Sequence, residues 1–185
     1  MNLGQDAKRR AELRDQALSQ QASETFIRDG PRRVFSHLRA YLWEQTELSG
    51  VRNDVYGTLR MESQRGDQFL IGLGATFVKE PADAPFGLGS GARLSFGLTL
   101  RATGSRSCVV AYTFRYYLPS NLPPGRSPGF LRFDLNRESH SDPLAEPRCH
   151  LHPGLDEVRL PLPVLNPFEV LDRIFFVIEP ALLPQ

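Results

Sequence analysis

Three of the four histidines in this chain lie within thirteen residues of one another, at His140, His150 and His152. In an extended strand, side chains two positions apart share a face, so His150 and His152 point the same way, roughly 6.5–7 Å apart along the chain. Imidazole changes its protonation state near neutral pH. Such a pair can therefore act as general acid and base, or offer ring nitrogens to a metal ion.

Arginines and carboxylates surround these histidines in the segment 131–162. Arg132, Arg148 and Arg159 supply guanidinium groups, and Asp134 and Asp142 supply carboxylates. A guanidinium binds a phosphate through two parallel hydrogen bonds and stabilises negative charge that develops in a transition state. We therefore predict that the three arginines and Asp134 contact the substrate and that the histidines are the catalytic groups.

Three interpretations of this segment remain open. The first, which we favour, is metal-independent RNA cleavage, with His150, His152 and His140 as acid–base groups. The second is a zinc site formed by His150 and His152 with His140 or Asp142. That ligand set is incomplete, so the sequence assigns neither a metal ligand nor a cofactor. The third is structural, because histidines and arginines can satisfy one another and buried backbone groups.

The same segment resembles a known family in four motifs. They are RFD at Arg132–Asp134, a single histidine at His140, HLHPG at His150–Gly154, and VRLPLPVLNPFEVLDRIF at Val158–Phe175. This pattern resembles the bacterial domain-of-unknown-function family DUF2290 over about the last 55 residues. It is more loosely similar to TumE-type toxins, which have Tyr-Asp-Asn where this chain has Phe133-Asp134-Leu135.

The resemblance implies a small bacterial toxin- or defence-associated protein that acts on RNA. The family's site residues correspond here to Arg132, Asp134, His140, His150, His152 and Arg159. A weaker nucleic-acid contact set is Arg115, Tyr116 and Tyr117, since phosphate and stacking contacts use these residue types. Aromatic residues at strand spacing are more typical of a core.

A function of another class is equally consistent with the N-terminal segment. Residues Asp6–Arg28 are predicted to form a helix with few apolar side chains, which is either solvated or docked on a partner. The alternative to RNA cleavage is therefore a non-catalytic binding subunit of a larger assembly, held through the segment 1–30. The segment 31–185 would then be a single folded domain.

The remaining elements predict an α+β domain. An amphipathic helix covers Pro31–Thr46, and a closing helix begins at Pro167 with Asn166 as its cap. Between them, period-two patterning and turn residues predict the strands Val51–Met61, Gln68–Lys79, Ala92–Ala102, Cys108–Leu118, Phe130–Leu135, Arg148–His152 and Glu157–Leu162. We expect two N-terminal helices, a curved antiparallel sheet of about six to seven strands, and the closing helix.

Composition narrows the function classes. The chain has 185 residues and a formal net charge of +1, which argues against a strong overall pull toward nucleic acid. Its basic residues are arginines except for Lys8 and Lys79. No phosphate-binding glycine loop, dinucleotide fingerprint, HExxH, paired CxxC or nucleophile elbow is present. The sequence has no signal peptide and no apolar span, so we predict a cytosolic protein. The two cysteines, Cys108 and Cys149, lie in predicted strands, and we expect them to be buried thiols.

Overall fold

An antiparallel sheet is the largest part of the structure. The computed structural model describes residues 25–74, 83–119, 129–137 and 147–182. The strands are β1 (Thr25–Ile27), β2 (Leu59–Ser63), β3 (Gln68–Leu73), β4 (Phe86–Gly87), β5 (Arg93–Thr103), β6 (Arg106–Tyr117), β7 (Phe130–Leu135), β8 (Cys149–Pro153) and β9 (Leu160–Pro161). The predicted α+β class and antiparallel sheet are confirmed, although the described residues form nine strands rather than six or seven.

Seven strands follow one path, in the order β2-β3-β5-β6-β7-β8-β9, and every adjacent pair in it is antiparallel. The two short strands lie off this path. β1 pairs with β6 up to Val109, whereas β7 pairs with β6 from Tyr112 onward. β4 likewise pairs with β5 beyond the end of β3. Each short strand therefore extends an edge that a longer neighbour leaves uncovered.

Helices cover one face of this sheet. They are α1 (Pro31–Ser49), α2 (Val55–Thr58) and α3 (Pro167–Arg173), which continues through a π-helical turn (Ile174–Ile178) into α4 (Glu179–Leu182). Val34, Leu38 and Leu42 of α1 are fully buried and belong to the same core as the sheet. Asn166 caps α3 as predicted, accepting hydrogen bonds from the backbone of the first turn.

The sheet has one apolar and one polar face because its side chains alternate. On β5 the side chains of Leu94, Phe96, Leu98 and Leu100 are buried in the core, as the strict alternation predicts. Phe133 on β7 packs in the same core. The intervening positions on β6, β7 and β8 point to the opposite face. They include Arg115, Arg132, Asp134, His150 and His152.

Several predicted boundaries are wrong. Thr25–Ile27 is a strand and not the end of a helix, because these β-branched and aromatic residues pair with β6. Gly30 precedes α1 with an extended backbone. The strand predicted over Val51–Met61 is interrupted by α2, since the Asp54 carboxylate accepts a hydrogen bond from the Gly57 amide at 2.7 Å.

Other expectations fall partly or wholly outside the described residues. The strand predicted over 68–79 is described as far as residue 74 and ends at Leu73. The one predicted over Glu157–Leu162 is reduced to the two residues of β9. The rest of the predicted N-terminal helix, residues 6–24, lies outside the described part of the chain. Among the helices that the structure describes, none has the length and apolar character needed to cross a membrane.

Candidate functional site

The register of β7 and β8 brings the predicted site residues together. Arg132 lies directly opposite His152, and Asp134 lies directly opposite His150. Side chains opposite each other in an antiparallel pair are neighbours on the same face of the sheet. The RFD motif and the HLH motif therefore form one four-residue cluster, which we call the Arg-Asp-His cluster (Arg132, Asp134, His150 and His152).

Asp134 is at the centre of this cluster. Arg132 Nε donates a hydrogen bond to Asp134 Oδ2 at 2.7 Å, and Arg132 Nη2 lies 2.8 Å from His152 Nε2. The same carboxylate oxygen is 3.3 Å from His152 Nε2 and 3.7 Å from His150 Nε2. The two imidazole rings are edge-to-face, with their centroids 4.8 Å apart. Both Nε2 atoms and one carboxylate oxygen thus converge.

Backbone carbonyl groups fix the orientation of both imidazoles. His150 Nδ1 lies 2.6 Å from the carbonyl oxygen of Pro147, and His152 Nδ1 lies 3.3 Å from that of Leu155. A carbonyl oxygen only accepts, so each Nδ1 carries the hydrogen and donates it. In the neutral ring the lone pair is then on Nε2. A hydrogen bond of this kind at the distal nitrogen is typical of metal-ligating histidines.

Asp134, His150 and His152 are almost fully removed from solvent. The exposed fractions are 2% for His150, 0% for His152 and 8% for Asp134. Burial lowers the pKa of His150 below its usual value, because a charged imidazolium loses its hydration. Among the described residues, Asp134 Oδ1 is buried and has no hydrogen-bond partner. A buried carboxylate oxygen in that state is uncommon and marks a position suited to a cation or donor.

Asp134, His150 and His152 have the composition of a metal-binding site. Each offers one ligand atom, and the three atoms lie within 4.8 Å of one another. Two imidazoles and one carboxylate are a ligand set that suits zinc or ferrous iron. This set uses Asp134 as the third ligand, whereas the sequence suggested His140 or Asp142. Both of those residues lie outside the described part of the chain.

A cavity of about 230 Å³ opens beside the cluster. Its lining comprises Arg115, Tyr117, Phe130, Arg132 and Asp156. Arg115 is opposite Arg132 and Tyr117 is opposite Phe130 in the register of β6 and β7, so all four share the polar face. Asp156 is 68% exposed and accepts a hydrogen bond from Arg132 Nη1. Arg132 therefore contacts both the buried cluster and the open cavity.

The other predicted residues lie outside the cluster. Arg148 is buried, and its Nε donates to the backbone oxygen of Asn136 at 3.2 Å. Arg159 acts on His150 through its charge, which contributes to the lowered pKa of that imidazole. Tyr116 belongs to the core and donates to Glu179 at 2.7 Å. Asp156 was not predicted, because it follows β8 in a turn and no local pattern connects it with Arg132.

Comparison with models of known protein families, with curated proteins and with solved structures finds no significant match. The resemblance to the DUF2290 family and to the TumE-type toxins therefore stays a prediction.

Proposed function

We propose that this chain is a metal-binding module that holds a divalent transition-metal ion through Asp134, His150 and His152. The observation that supports this most directly is the convergence of two imidazole Nε2 atoms on one buried carboxylate. Both rings are held in the required tautomer by carbonyl groups. Three protein ligands leave coordination positions for water or substrate, which is the arrangement of catalytic zinc sites.

The electrostatics of the cluster also favour a cation. A neutral imidazole is the form that binds metal, and burial favours that form of His150 by lowering its pKa. The second oxygen of the carboxylate, Asp134 Oδ1, would gain a charged neighbour. Zn–N bonds of about 2.0–2.1 Å imply ligand atoms roughly 3.4 Å apart, and the three atoms lie within 4.8 Å of one another, so the widest pair must close by up to about 1.4 Å. Arg132 must also leave His152, whose one acceptor atom it now occupies.

We expect Zn²⁺ to raise the melting temperature of the metal-free protein by about 5–10 °C when its concentration is about a hundred times the dissociation constant. A ligand that binds only the folded state contributes about 2.7 kcal/mol at that excess. Differential scanning fluorimetry after EDTA treatment measures the shift. The matched control is His37→Ala, because His37 is an exposed histidine of α1. An unchanged melting temperature in the wild-type protein would contradict the proposal.

Metal-independent RNase-like chemistry in a bacterial toxin or defence protein is the second candidate. It is favoured by Arg132, which lines the cavity and contacts His152, so a phosphate on its guanidinium would lie beside an imidazole. The burial of both imidazoles means that the cluster would have to open around an RNA strand. This candidate predicts EDTA-resistant cleavage of a mixed RNA pool that is lost in His150→Ala. The metal module predicts no EDTA-resistant cleavage.

A further inference from the structure

We infer that the cavity beside the cluster binds a phosphate group, free or as an ester, and that Arg132 couples this binding to metal occupancy. The inference rests on the proposed metal site. It adds a second ligand, and it gives Arg132 a role distinct from those of the three metal ligands.

Arg132 and a metal ion compete for the same atom of His152. His152 Nε2 has one lone pair, which faces Arg132 Nη2 at 2.8 Å and which a metal ion would also need. Arg132 Nε donates to Asp134 Oδ2 at 2.7 Å, and that oxygen would face the ion. A guanidinium and a dication cannot both use the one lone pair of His152 Nε2, whereas the carboxylate of Asp134 has lone pairs for both. Metal binding therefore releases Arg132 Nη2 from the cluster.

The guanidinium of Arg132 can turn toward the cavity when it leaves His152. Its Nη1 already reaches Asp156 at the cavity, and Arg115 lies directly across the strand pair on the same face. Two guanidinium groups beside a buried dication create a strongly positive cavity. Asp156 is 68% exposed and can turn into solvent when an anion replaces it. Paired guanidinium groups bind phosphate oxygens bidentately, so a phosphate is the anion that this geometry suits.

The size and walls of the cavity define the ligand further. Its volume of about 230 Å³ is below the range of about 300–1,000 Å³ usual for drug-sized ligands. The cavity therefore has room for a single phosphate group with a small attached moiety. Tyr117 and Phe130 form a cross-strand aromatic pair at one side, and Phe130 is half-buried. This apolar wall suits the organic part of a phosphate ester.

Isothermal titration calorimetry tests the coupling. Inorganic phosphate and phenyl phosphate, a small ester with an apolar group, are each titrated into metal-free protein and into protein loaded with one equivalent of Zn²⁺. We expect phosphate affinity to be roughly tenfold or more higher in the loaded protein, within the usual range of coupling between two sites. By reciprocity, phosphate raises the Zn²⁺ affinity by the same factor. Tighter binding of phenyl phosphate than of inorganic phosphate would support an ester as the ligand.

The Arg115→Gln variant distinguishes phosphate binding in the cavity from metal binding at the cluster. We expect this variant to bind phosphate about tenfold or more weakly, because it loses charge-assisted hydrogen bonds, while its Zn²⁺ affinity in phosphate-free buffer stays unchanged. Arg33→Gln, at an exposed arginine of α1, is the matched control. Equal phosphate affinity with and without metal, or no effect of Arg115→Gln, would overturn the inference although the metal site stands. Absence of Zn²⁺ binding would overturn the proposed function itself.

Discussion

Arg132→Met is expected to destabilise the metal-free protein by about 3–5 kcal/mol, the usual cost of leaving one partner of a buried ion pair without the other. Asp134 is nearly buried and accepts a hydrogen bond from Arg132 at 2.7 Å, so the variant leaves a carboxylate without its cation. Methionine retains much of the apolar stem but has no charge. Urea-induced unfolding of EDTA-treated protein measures the difference.

The effect of Zn²⁺ on the Arg132→Met variant distinguishes a metal site from a purely structural cluster. A bound dication replaces the missing guanidinium, so the loaded variant should recover most of the lost stability. Its Zn²⁺ affinity should exceed that of the wild type by roughly tenfold, because Arg132 no longer competes for the lone pair of His152. Arg33→Met is the control, since that side chain is 80% exposed. If Zn²⁺ does not reduce the difference in unfolding free energy between Arg132→Met and the wild type, the cluster is structural and Arg132 is the cation that neutralises it.

The cluster itself was largely predictable from the sequence. Period-two alternation places His150 and His152 on one face, and it places Arg132 and Asp134 on one face of the preceding strand. Their contact depends on register, which the loop between β7 and β8 does not reveal. The sequence therefore supplied the members of the site but not the pairing of Asp134 with both imidazoles.

Burial and long-range contacts could not be predicted in the same way. Histidines on the polar face of a sheet are expected to meet solvent, yet His150 and His152 are buried, and their Nδ1 atoms contact carbonyl groups at 147 and 155. Local patterns also miss α2, because Asp54 starts it through one side-chain hydrogen bond within a segment that alternates like a strand.

His150→Ala is expected to lower the Zn²⁺ affinity about 100- to 1,000-fold. Structural zinc sites bind with about 10–16 kcal/mol over four ligands, so each ligand accounts for roughly 2.5–4 kcal/mol. Visible absorption of the Co²⁺-loaded protein reports the change in coordination independently of any catalytic activity.

Asp134→Asn provides the second variant, because it keeps the shape of the side chain and removes the charge that attracts the ion. If His150→Ala fails to fold, judged by circular dichroism, this variant still tests the site. It should lose Zn²⁺ affinity to a similar extent, whereas His37→Ala should retain it, since His37 is exposed and contacts Asp29 on α1's N-terminal side. Zn²⁺ binding that survives both Asp134→Asn and His150→Ala would place the ion elsewhere, because a site that loses either member of this buried pair retains too few ligands to hold it.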